Sequence, residues 1–182
     1  MFTQKKKQYY SNILGFKNSD DFENFADVYV INTCTVTSMS DKKSRQMIRR
    51  AKKHNENAII AVVGCYSQNA PEEVMAIKGV NLVMGTSERD KIVIEIEKLN
   101  VKDQIIEVED IMKKRNFEAL SIEETYGKTR AFLKIQEGCD RFCTYCIIPY
   151  TRGPVRSRAL DDIIAEVKSL VKNGYKEVVL TG

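Results

Sequence analysis

The sequence predicts an α/β protein, with a small parallel-sheet domain over residues 1–99, a linker over 100–128 and the start of a second α/β unit over 129–182. Three observations predict it. Short β-branched runs bounded by turn residues alternate with segments of helical period, the alternation restarts near Arg130, and a cysteine-rich loop follows directly on a strand. Asp27–Asn32, Ala58–Gly64 and Val80–Gly85 read as buried strands. Between the first two lies a helix opened by a capping box at Ser38–Asp41. Along it Ser44, Met47, Ile48 and Ala51 share one face, and Lys42, Lys43, Arg45, Arg49, Arg50, Lys52 and Lys53 occupy the other. Further helices are predicted around Pro71–Ile77 and Glu88–Leu99, an order that builds a parallel sheet with right-handed crossovers.

Residues 1 to 25 give no clear strand, and the charged stretch 100–128 reads as a linker and helical connector. The second unit opens with a strand at Ala131–Gln136. A helix follows, with Leu160, Ile163, Ile164, Val167, Leu170 and Val171 on one face and a carboxyl cap at Asn173-Gly174. Lys176–Gly182 is the next strand, which completes one β-α-β unit.

Composition bounds the function. At 43% hydrophobic and 30% charged, the 182 residues have the make-up of a soluble globular protein. No apolar run reaches the roughly 18 residues needed to span a bilayer, and Met1 to Lys7 lead into no apolar signal core. A cytoplasmic address and no membrane partner are expected. Five cysteines, an odd number, fit a reducing compartment where thiols serve metals. The net charge of +4 permits a polyanionic partner without requiring one.

Cys139, Cys143 and Cys146 form a C-x-x-x-C-x-x-C loop, short enough for three thiolates to converge on one soft metal centre, whereas a disulfide scheme leaves one of them unpaired. Iron–sulfur clusters take cysteine thiolates, usually four, and a cubane given three by its loop keeps one iron open. Structural zinc, the alternative, wants four nitrogen or sulfur ligands, and His54 is the single histidine. Cys34 and Cys65 lie just beyond the carboxyl ends of their strands, where open α/β sheets bind ligands. From the residues alone, each reads first as an isolated buried thiol behaving as a small hydrophobe. Arg152, Arg156 and Arg158, with the basic helix face, are candidate phosphate contacts, and a solvated charged surface is the alternative for all of them.

The cysteine loop with its aromatic Tyr145 resembles the signature of radical S-adenosylmethionine enzymes. The longer string from Gly138 to Arg158, with Asn32–Thr37 and Gly64–Gln68 upstream, resembles the tRNA methylthiotransferases. The resemblance implies a methylthiotransferase amino-terminal domain followed by the first β-α-β unit of a (β/α)6 partial barrel. It implies Cys139, Cys143 and Cys146 as ligands of a 4Fe-4S cluster that binds and reduces S-adenosylmethionine, releasing a 5′-deoxyadenosyl radical, with Tyr145 against the cofactor adenine. Cys34 and Cys65 become ligands of an auxiliary 4Fe-4S cluster thought to carry the transferred sulfur. The implied partners are the tRNA anticodon loop, an electron-donor protein and an unspecified sulfur source. The Asn32–Gln46 and Gly153–Arg158 stretches look most like the branch that converts N6-threonylcarbamoyladenosine to its 2-methylthio derivative, rather than the isopentenyladenosine or ribosomal-protein branches.

Members of that family carry a third amino-terminal ligand in a T-x-G-C-x-x-N motif, which residues 1–26 do not match, and continue beyond the unit at which Gly182 stands. The sequence therefore predicts an incomplete enzyme, doubtful in activity on its own, with the auxiliary cluster short of a ligand and apolar surface left bare. The competing readings are another radical enzyme sharing only the loop, a non-catalytic metal-stabilised nucleic-acid-binding module, and an inactive remnant.

Overall fold

A computed structural model of the chain describes residues 26–34, 38–118 and 129–182, with the side chains of 38–41 also outside the description. The capping box at Ser38–Asp41, residues 1–25 and the second part of the linker thus lie outside the described residues.

Four parallel strands form the first sheet in sequence order: β1 (Val28–Thr33), β2 (Ile59–Gly64), β3 (Leu82–Met84) and β4 (Ile105–Glu107). Helix α1 (Ser38–His54) joins the first two strands. Its predicted inner face holds, since Ser44, Ile48 and Ala51 are buried and Ile48 packs with Tyr29, Ile31, Ile60 and Val62. Two short helices, α2 (Cys65–Asn69) and α3 (Pro71–Met75), lead from β2 towards β3 on the same face, where Tyr66 and Val74 join that core.

The other face of the sheet, Ala61, Val63, Leu82 and Met84, is covered by Ile92 and Ile96 of α4 (Ile92–Glu97). A parallel sheet buries both faces, and here the third connection supplies the second cover. Its hand is consequently opposite to that of the first two crossovers, a departure from the uniform handedness expected.

The expected helical connector over 100–128 is corrected in its first half. Residues 105–107 are the fourth strand, and Ile111–Lys113 form a single 3-10 turn whose Ile111 is buried. Asn81 explains why a charged segment joins the sheet. Its carboxamide oxygen accepts from Ile60 N–H at 3.0 Å, and its nitrogen donates to Val101 O at 2.8 Å and Asp103 O at 3.0 Å, which tethers the approach to β4.

The second unit pairs β5 (Arg130–Lys134) in parallel with β8 (Glu177–Thr181) through α6 (Leu160–Lys172). Between them lie the cysteine loop, α5 (Ile148–Arg152) and a small antiparallel ladder of β6 (Gln136–Glu137) with β7 (Arg156–Ser157). Its core is thin: Ala131, Leu170 and Tyr175 with Val178, while Phe132, Leu160, Val171 and Leu180 stay exposed. The bare apolar surface expected of a lone β-α-β unit is present. Among the described residues, no helix is long and apolar enough to cross a membrane.

Candidate metal centre and its surroundings

Cys34 follows the last residue of β1 and Cys65 the last residue of β2, strands whose ends are in register at Thr33 and Gly64. The two cysteines therefore each follow one of two neighbouring strands at the carboxyl edge of the sheet. Gly64 makes the turn possible. Its φ is +107°, and a Cβ there would meet Thr33 O at 2.5 Å. Cys65 opens α2 and is buried, whereas Cys34 is exposed. Beside them Ser67 Oγ donates to Val62 O at 3.1 Å, fixing α2 on the strand it follows.

The cysteine loop leaves β6 at Gly138. Cys139 N–H donates to Gly153 O at 3.0 Å, which holds the start of the loop, and Cys146 N–H donates to Cys143 O at 2.9 Å, which closes a turn within it. Phe142 adopts a left-handed φ of +47° and meets Tyr150 edge to face, with centroids 5.8 Å apart. Cys139 and Cys146 are half-buried and Cys143 is exposed. Tyr145 is 90% exposed, so its ring takes no part in core packing.

All five thiols are free, and three of them share one pinned loop, which suits the donor chemistry of an iron–sulfur cluster. The sulfurs themselves are not gathered. Among the described residues, no set of three or more His, Cys, Asp or Glu side chains is disposed to hold a metal ion.

The two cysteine regions are joined. α2, which carries Cys65, packs on α5, which follows the cysteine loop. Gln68 Oε1 accepts from Thr86 N–H at 3.0 Å, and Thr86 Oγ1 donates to Thr151 O at 2.6 Å, a link from the β2 edge to the loop's exit helix. Thr151 and Pro149 are fully buried at this contact. Sequence reading missed Gln68 as a connector and Thr86 altogether, because partners 65 residues apart leave no trace in spacing.

Comparison with known proteins places these motifs. The model of the radical SAM superfamily matches residues 133–182, and that of the uncharacterized protein family UPF0004 matches residues 6–85. The threonylcarbamoyladenosine tRNA methylthiotransferase MtaB of Bacillus subtilis (strain 168) is 53% identical over 163 residues, 89% of this chain and 36% of its own length. That of Aquifex aeolicus (strain VF5) is 44% identical over 162 residues, 88% of this chain and 40% of its own. The tRNA-2-methylthio-N(6)-dimethylallyladenosine synthase of Clostridium tetani (strain Massachusetts / E88) is 38% identical over 176 residues, 93% of this chain and 38% of its own. Over about nine-tenths of its length the chain is similar to tRNA methylthiotransferases, and residues 133–182 match the radical SAM superfamily. The chain spans between 36% and 40% of the length of these relatives.

Two of the three arginines after the loop are not free to meet phosphate. Arg156 is buried, with Nη2 donating to Glu137 Oε1 at 2.8 Å and to Arg152 O at 2.9 Å. Arg158 pairs with Glu166 of α6. The sequence predicts both as surface cations. The correction follows from the β6–β7 ladder, which sets Arg156 directly opposite Glu137. Arg152 remains half-buried at the end of α5.

Glu137 is the centre of a buried charge cluster that the sequence did not flag. Arg156, Lys134 and, at 3.9 Å, Arg89 surround it, and Arg89 also donates to Glu118 at 2.6 Å. Burial works to raise the Glu137 pKa, but Lys134, Arg89 and Arg156 together outweigh it and hold the carboxyl below its ordinary value. Burial also pushes Lys134 down, against the pull of Glu137. The two shifts differ in cause: burial dominates at Lys134, and the surrounding cations dominate at Glu137.

Replacing Glu137 with Gln strands those cations, and the expected cost is about 3 kcal/mol, at the lower end for breaking a buried pair. Chemical denaturation measures it, and a change under about 0.5 kcal/mol, the size of an ordinary surface substitution, would contradict the assignment. Because the folded pKa lies below the unfolded one, the stabilisation is fully present above pH ~4.3 and is lost as pH falls through the folded value. The Glu137→Gln variant should therefore lose part of the wild-type acid sensitivity below that pH.

Proposed function

We propose that this chain serves the 2-methylthiolation of N6-threonylcarbamoyladenosine beside the tRNA anticodon, using S-adenosylmethionine and a 4Fe-4S cluster. The observation that carries the reading is the joining of two cysteine motifs on one edge of the molecule through Gln68, Thr86 and Thr151. When bound, the cluster and S-adenosylmethionine together supply a strong one-electron chemistry able to activate an unreactive C–H bond.

The protein's own contribution is positional. Cys139, Cys143 and Cys146 are the cluster ligands, and three protein thiolates leave one coordination place for the cofactor. The backbone bond from Cys139 N–H to Gly153 O holds the loop on the ladder that also carries Glu137 and Arg156. Tyr145, with its ring bare, is suited to stack on the adenine of S-adenosylmethionine. Cys34 and Cys65 are the ligands this chain offers to the auxiliary cluster, each following the end of one of the paired strands β1 and β2. An electron-donor protein and a sulfur source complete the reaction, in the cytoplasm.

Deletion of the gene for this chain tests the proposal. Nucleosides from the tRNA of deleted cells should retain N6-threonylcarbamoyladenosine and lack its 2-methylthio form. Selective loss of the methylthio mark from the dimethylallyl nucleoside would move the chain to the other branch, and loss of neither would overturn the activity.

A further inference from the structure

With Arg156 and Arg158 turned inward, another surface has to hold an RNA backbone if the methylthiotransferase reading is right. We infer that this surface is the outward face of α1, carrying Lys42, Lys43, Arg49 and Lys53, and that its ligand is the sugar-phosphate backbone of RNA, an inference that rests on that reading.

Charge is segregated there. The 17 residues of α1 hold seven lysines and arginines against one aspartate, in a chain whose totals are nearly balanced at 29 basic and 25 acidic. Lys42, Lys43, Arg49 and Lys53 are all exposed. None of the four makes an ion pair among the described residues. Positions i, i+7 and i+11 fall on one line of a 3.6-residue helix, so Lys42, Arg49 and Lys53 form a row about 16 Å long.

Direction matters as well. α1 begins shortly after Cys34, at the carboxyl edge of the sheet, and returns along the sheet to start the parallel β2. The row of cations therefore starts beside the proposed reaction site and leads away from it, as a substrate strand does when one base is delivered to an edge. An anionic membrane is the other polyanion to consider. A membrane-surface helix must keep an apolar face for the lipid, and here Ile48 and Ala51 are spent on the sheet at 0% exposure. RNA needs no such face.

The test measures binding of the full chain to an unmodified tRNA transcript by fluorescence anisotropy across a series of potassium chloride concentrations. The triple variant Lys42→Ala, Arg49→Ala, Lys53→Ala should bind at least about tenfold more weakly near 0.1 M salt, with a log–log salt slope shallower by about two to three. A control with equal charge removed from exposed sites of the second unit, Lys168→Ala, Lys172→Ala, Lys176→Ala, should change affinity by less than about twofold. If the wild type binds tRNA and both triples weaken it equally, or neither does, the α1 surface is wrong while the tRNA reading stands. If the wild type does not bind tRNA, or binds phosphatidylserine vesicles instead, the surface and the tRNA reading fall together.

Discussion

Cys143→Ala is expected to abolish iron loading at the loop, a loss of about four irons per chain after anaerobic reconstitution. The expectation is all-or-none because a loop cubane with two protein thiolates has two irons without a protein ligand, and metal binding is coupled to the completeness of the donor set. Cys143 is exposed and lies outside every helix and strand, so its thiol contributes little to packing. The circular dichroism spectrum and thermal midpoint of the metal-free variant should therefore match those of the wild type. Retention of full iron content with unchanged folding would refute the ligand assignment. Cys34→Ala provides the contrast: it should leave the loop's iron in place.

The second large effect is structural and reaches the same loop. Gly138 has φ +87°, and a Cβ there would lie 2.0 Å from Pro154 O and 2.7 Å from Gly153 O, both backbone atoms that cannot rotate away. Gly138→Ala adds left-handed strain of about 1 kcal/mol to an overlap worth about 2 kcal/mol or more. At roughly 2–4 °C per kcal/mol for a chain of this size, the thermal midpoint should drop by about 6–12 °C. Relief of the overlap must pull the chain off Gly153, which breaks the bond from Cys139 N–H, so iron loading should fall with stability. Gly174 is the control, since its φ is +84° and a Cβ there would meet nothing within 4 Å. Gly174→Ala should cost the strain alone, about 1 kcal/mol, with iron uptake unchanged.

The elements with strong local signals were legible from the sequence. β1 and β2 show as β-branched runs, and α1 as a clean division between Ile48 and Ala51 on one side and Lys42 and Arg49 on the other. The placement of Cys34 and Cys65 at the ends of neighbouring strands follows from two β-branched runs each ending one residue before a cysteine. What was missed lacks a local signal. β4 is three residues long, two of them exposed, and it joins the sheet through Asn81, more than twenty residues earlier. The fate of Arg156 depends on a two-residue ladder that brings Glu137 opposite it, and no periodicity can register so short a pairing. Phe142 at positive φ is likewise imposed by its loop.

The metal centre is where residue type and placement diverge. The residue types point to a cluster, and the sulfurs are not grouped, which is consistent with a loop whose final shape is set by the ligand it closes on, since metal binding and local folding are coupled. The bond from Cys139 N–H to Gly153 O fixes where the loop starts, and the turn from Cys143 to Cys146 is already formed.

Whether the loop closes on iron is decided by the metal and sulfide content of the wild-type chain after anaerobic reconstitution, read with its electron paramagnetic resonance spectrum before and after S-adenosylmethionine is added. At least about four irons with matching sulfide and no zinc are expected, with a spectrum that changes when the cofactor is added, as an iron with an open place requires. One zinc per chain with no iron, or an iron signal indifferent to S-adenosylmethionine, would contradict the cluster assignment.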